Sequence, residues 1–517
     1  MKTNSEVVKH YSRQQTVLAA VFIILGVLLI ARGSWGMLIS RNYVMASNQS
    51  SSNRWPTVIN MGTAGNMTMN GKTMYMGPGT PITSLQDPQT AIHVDTFTLT
   101  AQVAHLSLGK DVSVTAWTFN GTSPGPTLRV RQGDLVVVHL VNHLPFSVTI
   151  HWHGVTVPNS ADGVAGLTQD AVKPDQTYTY HFLARESGTY WYHSHQESYD
   201  ETTHGLYGLF IVYPSTPLVH DDVDETVDLH NWPSGNGILT MNGTTGVFHI
   251  PAQPGQRVRL RITNTDFLQR WVILTGVSFT VAALDGHDLN GPQPLSATML
   301  PIGAAQRYDL RFQMPRNGPV QLFTVGDNGR PQLGPVVVVG QGNTPSTLPP
   351  ISQKFDFSTY GHPRPDAITL QRHFDATYSI TLNNHVGTFN GHMGMVYTLN
   401  GKSFPDTAPI EVKLGQLVKF HIVNESGEIH AMHLHGHTFA VLTRNGHQLT
   451  GSPVYLDTVD IQPHETYDIA FFANNPGLWM FHCHNLFHAY WGMDMMVVYP
   501  GISTPYSIGS ASGNFPD

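Results

Sequence analysis

One unit occurs three times in this chain, and that repetition limits its fold more than any other feature. The first copy reads Trp117-Thr-Phe-Asn120-Gly121, then Gly133-Asp-Leu-Val-Val-Val-His-Leu-Val-Asn142. The second reads Leu239-Thr-Met-Asn242-Gly243, then Gly255-Gln-Arg-Val-Arg-Leu-Arg-Ile-Thr-Asn264. The third reads Tyr397-Thr-Leu-Asn400-Gly401, then Gly415-Gln-Leu-Val-Lys-Phe-His-Ile-Val-Asn424. Each is a turn followed by a strand. In the second copy Val258, Leu260 and Ile262 alternate with Arg257, Arg259 and Arg261, so one strand face is expected to be buried. Short strands repeated between turns predict an all-β chain of sandwich domains. The 48 Gly and 34 Pro suit such turns.

The repeats set the expected boundaries. Domain one spans residues 81–214, domain two 215–340 and domain three 368–500, with a linker at 341–367 and a flexible tail at 501–517. Residues 1–45 are read as a signal or membrane anchor, and residues 46–80 as a Met-rich linker. Lys2, Lys9 and Arg13 precede an apolar run from Val17 to Ala31 that Arg32 closes. The run is short for a membrane span and has the length of a signal-peptide core. It is read as an uncleaved anchor, with cleavage after a site near Val44-Met45-Ala46 as the alternative. Either way the bulk of the protein is expected outside the cytoplasm. The net charge of −8 and the lack of a Lys/Arg block argue against a nucleic-acid partner. Asn120 and Asn242 begin Asn-x-Thr triplets but lie in the repeat turns, and are read as turn residues rather than glycan sites.

The chemistry lies in four segments: His151-Trp-His153-Gly, Trp191-Tyr-His193-Ser194-His195, His430-Ala-Met-His433-Leu-His435-Gly-His437, and His482-Cys483-His484-Asn-Leu-Phe-His488-Ala-Tyr-Trp-Gly-Met493. Residues two apart on a strand share a face, so each His-x-His pair directs two imidazoles one way. Four pairs give eight converging nitrogens. Imidazole alone leaves copper, zinc, iron and nickel open. Cys483 is the single Cys of the chain. Lying between His482 and His484, its sulfur faces the other side of the strand, towards His430 and His488. Two His, one thiolate and a weak axial Met, here Met493, make a blue-copper site. The backbone of Cys483 then leads directly to both neighbouring His.

These segments resemble the full signature of the multicopper oxidase family, and the resemblance extends from about Pro81 to Pro500. It implies three cupredoxin-like Greek-key domains and four coppers. By that resemblance His151 and His433 hold the single copper of a three-copper centre. His153, His193 and His484 hold one paired copper, and His195, His435 and His482 the other. His430, Cys483 and His488, with Met493 axial, hold the mononuclear copper. The implied activity is laccase-like: four one-electron oxidations of phenols or aromatic amines coupled to reduction of O2 to water. A cuprous oxidase or ferroxidase is the alternative. A copper nitrite reductase and a non-catalytic copper protein fit the complete ligand set less well.

Aligning the repeats places Ser194 opposite Cys483, and Arg270, Ile273 and Thr275 opposite His430, His433 and His435. Domain two therefore lacks ligands and is expected to act as a spacer, with the cluster between domains one and three. Asp162 has the spacing of an acid that bacterial relatives place beside the cluster, so it is a candidate proton donor as well as an Asp-Gly turn residue. A second family acid is replaced by Ala489. Glu197 and Asp200 are possible substitutes, although an exposed surface role is expected for each. His437, His139 and His421 are read as structural, and His204, His287 and His447 as surface or loop residues. Met61, Met67, Met69, Met74 and Met76 are read as a Met-rich linker or, alternatively, as a Cu(I)-capturing arm; Met393 and Met395 hint at the same chemistry.

Overall fold

The computed structural model describes residues 59–60, 66–69, 72–75, 79–88, 93–216, 219–234, 237–342, 351 and 353–517. The expected anchor at residues 1–45, and Met61 and Met76, lie outside these residues. Among the described residues no helix is long and apolar enough to cross a membrane.

Strands dominate, and they form three successive two-sheet sandwiches. The first packs two four-stranded sheets, Thr177–Leu183/Leu135–Asn142/Val94–Gly109/Val112–Phe119 and Gly125–Arg131/Tyr207–Tyr213/Gly188–His193/His151–His153. Its core gathers Leu99, Val138, Trp152, Phe182 and Phe210, each almost fully buried. The second sandwich has two six-stranded sheets, and the third a seven- and a five-stranded sheet.

The three repeat units build identical devices. Asn120, Asn242 and Asn400 have φ of 58°, 48° and 54°, and the following Gly residues φ of 79°, 71° and 73°. Two successive positive φ values are what a type I′ turn requires, and Asn-Gly supplies them most readily. Each Asn also reaches across to the neighbouring strand. The Oδ1 atoms accept the N–H of Thr100, Asp228 and Thr381 at 2.6, 2.8 and 2.8 Å. The strand-ending residues Asn142, Asn264 and Asn424 are buried, and each donates its Nδ2 to the carbonyl four residues on, at 2.8 Å in all three copies.

Strand register extends the correspondence to the sites. Arg270 pairs with Ile302 and Ile273 with Met299, as His430 pairs with Ile461 and His433 with Thr458. Domain two thus keeps the strand and lacks the imidazoles.

The expected buried face of Arg257–Asn264 forms, with Val258, Leu260 and Ile262 fully buried. On the arginine face Arg257 is exposed, but Arg259 is buried and Arg261 is 1% exposed. Arg261 donates to Thr189 Oγ1 of domain one at 2.8 Å and to Asp224 Oδ2 at 2.8 Å. Beyond Arg257 the alternation thus marks two buried faces, one apolar and one salt-bridged. Residues 501–517 are also packed rather than free. Ile502–Ser503 pairs with Thr80–Pro81, and Ser507–Ile508 with Ile59–Asn60. Asn514 is buried and holds Ala171 N–H at 2.9 Å and Asp170 Oδ1 at 2.8 Å. The stretch expected as a Met-rich linker therefore contributes strands, including a hairpin of Asn66–Met69 with Lys72–Tyr75.

Candidate metal centre

Two short strands from each of two domains bring their histidines against one another. In domain one His151 pairs with His193, and in domain three His433 pairs with His482. The His-x-His alternation then aims both rings of each pair into the space between the domains. His151 stacks on His435 with ring centroids 4.0 Å apart, and His153 on His433 at 3.8 Å. The eight imidazoles are all buried.

Six of the eight rings have one nitrogen anchored outside the ring set and the other facing their neighbours; in His482 and His484 Nδ1 has no hydrogen-bond partner and Nε2 faces another imidazole. His151 Nδ1 donates to the carbonyl of Asp162 at 2.8 Å, and His433 Nδ1 to that of Asp457 at 2.9 Å. Their Nε2 atoms have no partner. His153 is turned the other way: its Nε2 meets Asp457 Oδ1 at 3.0 Å, and Nδ1 has no partner. His193 and His195 donate Nδ1 to the carbonyls of Ser194 at 2.8 Å and Pro516 at 2.9 Å. The Nε2 atoms of His435 and His482 stand 3.0 Å apart, and those of His193 and His484 3.4 Å apart. Burial, reinforced by the neighbouring imidazoles, holds His193, His195, His435, His482 and His484 well below the ordinary imidazole value. Neutral rings with an unpartnered inward nitrogen and an anchored outward one are the form that binds metal. Several ligand triads lie within coordination range, among them His151/His153/His193 and His195/His435/His482.

The second set lies on the opposite side of the His482–His484 strand. Cys483 Sγ is 3.8 Å from His430 Nδ1 and 3.5 Å from His488 Nδ1, and these two nitrogens are 3.1 Å apart. His430 comes from strand His430–Leu434 and His488 from the short helix Leu486–Tyr490. Met493 is fully buried beside them; its N–H donates to the His488 carbonyl at 3.0 Å, and its carbonyl accepts Cys483 N–H at 3.1 Å. Burial pushes the Cys483 thiol up, so a metal that takes the thiolate must displace its proton. A thiolate with two imidazoles suits copper, and both sets fit the ions expected from the sequence.

Asp162 closes a 3-10 turn, Asn159–Ala161, and is fully buried. Its Oδ2 lies 3.0 Å from His435 Nδ1 and its Oδ1 3.2 Å from His151 Nδ1. Gly163 follows with φ 78°, and a Cβ there would stand 1.7 Å from the Ile150 carbonyl oxygen. Asp162-Gly163 is thus a turn, and the turn sets the Asp162 carboxylate beside two of the candidate ligands. Glu197 and Asp200 are half-buried rather than exposed. The fully buried acid of this segment is Glu201, bonded to Ser194 Oγ and held well above the usual carboxylate range by burial.

Several supporting residues have no sequence motif. Asp457 joins His153 to His433. Arg307 pins Asp457. Ser426 Oγ lies 2.7 Å from His430 Nε2, and Glu428 Oε2 3.1 Å from His488 Nε2. Only the position of Glu428, two residues before His430, could have drawn attention to it. His437 takes no place in either set; it bonds Tyr499 Oη at 2.7 Å. His204 is not a free surface group, since it stacks on Trp117 at 4.5 Å.

The fold and the two ligand sets define a three-domain, all-β, cupredoxin-like copper protein. Family models described as multicopper oxidase match residues 100–217, 191–335 and 365–501, and the chain belongs to the multicopper oxidase family. It is therefore an oxidoreductase that uses O2, with copper as cofactor. A mononuclear blue site with a three-copper cluster is the arrangement typical of the family. The chain is 29% identical to multicopper oxidase MmcO of Mycobacterium tuberculosis over 459 residues, 77% of this chain and 86% of that one. It is also 29% identical to laccase-1 of Botryotinia fuckeliana over 472 residues, 79% and 83% of the two chains. Among solved structures, a multi-copper oxidase from Pseudomonas thermotolerans is similar at 25% identity and a TM-score of 0.64, over 79% of this chain and 100% of that one.

Proposed function

We propose that this oxidase is laccase-like: it removes single electrons from phenols or aromatic amines and couples four such oxidations to reduction of one O2 to two waters. In this reading His151 and His433 hold one copper of the cluster. His153, His193 and His484 hold the second, and His195, His435 and His482 the third. His430, Cys483, His488 and Met493 hold the mononuclear copper. Copper in these sets supplies a one-electron acceptor at Cys483 and oxygen reduction among the histidines. The protein's part is to keep the two apart and joined by a single strand, since Cys483 lies between His482 and His484.

The observation that carries the substrate class is the carboxylate at the outer edge of the mononuclear set. Glu428 sits 3.1 Å from His488 Nε2, its side chain is 41% exposed, and Tyr397 Oη donates to it at 2.9 Å. Tyr397 also stacks on His488 at 4.0 Å. A phenol or aromatic amine sheds a proton when it loses an electron, and Glu428 is placed to accept it. At the cluster, Asp162 is the carboxyl placed to pass protons to oxygen. The N-terminal apolar run supports an extracytoplasmic, anchored or secreted protein.

A metal-ion reading has its own support. An anion beside His488 suits Cu(I) or Fe(II), and Met393, on the strand that carries Tyr397, is 80% exposed. Oxygen uptake with a phenol, an aromatic amine, Cu(I) and Fe(II), for the parent and Glu428→Gln, separates the two. The laccase-like reading expects kcat/KM for the phenol to fall about 100-fold in the variant, with little change for a one-electron donor that releases no proton. Turnover of Cu(I) or Fe(II) without turnover of either organic substrate would replace it with the metal-ion reading.

A further inference from the structure

Domain two supplies no ligand, yet one of its side chains reaches the support of the cluster. Arg307, on strand Arg307–Gln313, is fully buried. Its Nη2 donates to Asp457 Oδ2 at 2.6 Å and its Nη1 to Asp457 Oδ1 at 2.9 Å, a two-pronged contact with domain three. Its Nε donates to the Thr189 carbonyl of domain one at 2.9 Å. Asp285, also of domain two, accepts the Arg307 N–H at 2.9 Å and the Thr458 N–H at 3.3 Å.

Asp457 passes this constraint on. Its Oδ1 meets His153 Nε2 at 3.0 Å, and its carbonyl accepts His433 Nδ1 at 2.9 Å. The Thr458 hydroxyl, itself 2.9 Å from Asp457 Oδ1, stands 3.1 Å from each of those two ring nitrogens. One imidazole from domain one and one from domain three are thus set by the same carboxylate residue. The backbone is cleared for the contact: Gly154, next to His153, has φ 80°, and a Cβ there would lie 2.4 Å from Asp457 Oδ2 and 2.6 Å from Arg307 Nη2.

We infer that Arg307 is a positioning residue for the three-copper cluster, fixing Asp457 so that His153 presents Nδ1, and His433 Nε2, to the metal. The inference rests on the ligand assignment proposed above. A guanidinium fork holds both carboxylate oxygens at once, which a lysine ammonium does not. Without the fork, Asp457 loses two hydrogen bonds and the fixed direction of its Oδ1. The His153 ring then loses the contact that decides which nitrogen is free.

The test uses full-length, copper-loaded protein and compares the parent with Arg307→Gln and Arg307→Lys. Copper per chain, competition with a chelator, the EPR spectrum and the blue absorption are measured on each. The mononuclear site serves as an internal control, because general destabilisation affects both sites. The expected result is that cluster copper is lost about 10–100-fold more readily from Arg307→Gln, with altered cluster EPR. The blue band and its anaerobic bleaching by substrate stay at parent values. Arg307→Lys is expected to keep the fold and show an intermediate EPR change, and it decides the matter if Arg307→Gln does not fold. Four retained coppers with parental EPR and chelator resistance would overturn the inference. Parallel loss of both sites would also overturn it, by showing a purely structural role. A parent protein that binds no copper would instead overturn the ligand assignment itself.

Discussion

His153 and His433 lie face to face yet leave different ring nitrogens unpartnered, Nδ1 on one and Nε2 on the other. What differs is the acceptor behind each ring, a carboxylate oxygen for His153 and a backbone carbonyl for His433. Asp162 acts on two rings in the same way, its carboxyl touching His435 and His151 at once, and it is the proposed proton donor. In Asp162→Asn, reoxidation of the reduced protein by O2 is expected to slow by about 100-fold or more, the usual contribution of a positioned proton donor. Anaerobic bleaching of the blue site by substrate should stay fast. Stopped-flow measurement of the two half-reactions checks this, and an unchanged reoxidation rate would leave Asp162 as a turn residue alone. The candidate ligands were legible because the two-residue period of a strand writes shared direction into local spacing. Asp457, Arg307, Glu428 and Ser426 act on those ligands from places that no local spacing records. Arg307 and Asp457 are 150 positions apart, and only the tertiary fold makes them neighbours.

At the scale of strands and segments, the repeat was readable because Asn-Gly and the strand-ending Asn each do one local task that sequence alone specifies. The packing of residues 501–517 was not, because a Gly/Ser/Thr-rich composition says nothing of long-range acceptors such as the Pro516 carbonyl, which takes His195 Nδ1–H. The burial of Arg259 and Arg261 is illegible for a related reason: their partners lie on other strands and in domain one. His230, on strand Val223–Trp232, ties that domain-two sheet to the helix just past His195, with Nε2 donating to the Thr203 carbonyl at 3.2 Å. Its ring stacks on Tyr207 at 4.4 Å. Burial, opposed by its hydrogen bonds, pushes its pKa down to about 3. Between there and the ordinary value of about 6.5, the unfolded chain binds a proton that the folded one does not. Stability from this group is therefore complete above about pH 6.5 and is lost as pH falls towards 3, at up to about 1.4 kcal/mol per pH unit. Urea unfolding of the copper-loaded protein across this range should show a shallower pH dependence for His230→Gln than for the parent. Equal slopes would mean that His230 is not buried in its neutral form.

On the scale of the whole molecule, the three sandwiches divide the task. In the proposed assignment domains one and three supply the rings of the cluster, and domain three alone supplies the thiolate. Domain two, expected from its missing imidazoles to be a spacer, also sends Arg307 and Asp285 to the Asp457 support. One β-sandwich occurs three times, and the middle copy, which lacks the imidazoles on strand Arg270–Thr275, carries charge-paired contacts on the strands of its other sheet. In the proposed function, separation of the two ligand sets by a single strand would let one-electron oxidation at the mononuclear set serve oxygen reduction at the other. The most direct measurement of that coupling is the ratio of substrate oxidised to oxygen consumed, taken with a one-electron phenolic donor and with hydrogen peroxide assayed in the same vessel. Four donor equivalents per O2, with no peroxide, is the result expected of this molecule. Two equivalents per O2 with peroxide accumulating, or donor oxidation without oxygen uptake, would contradict it.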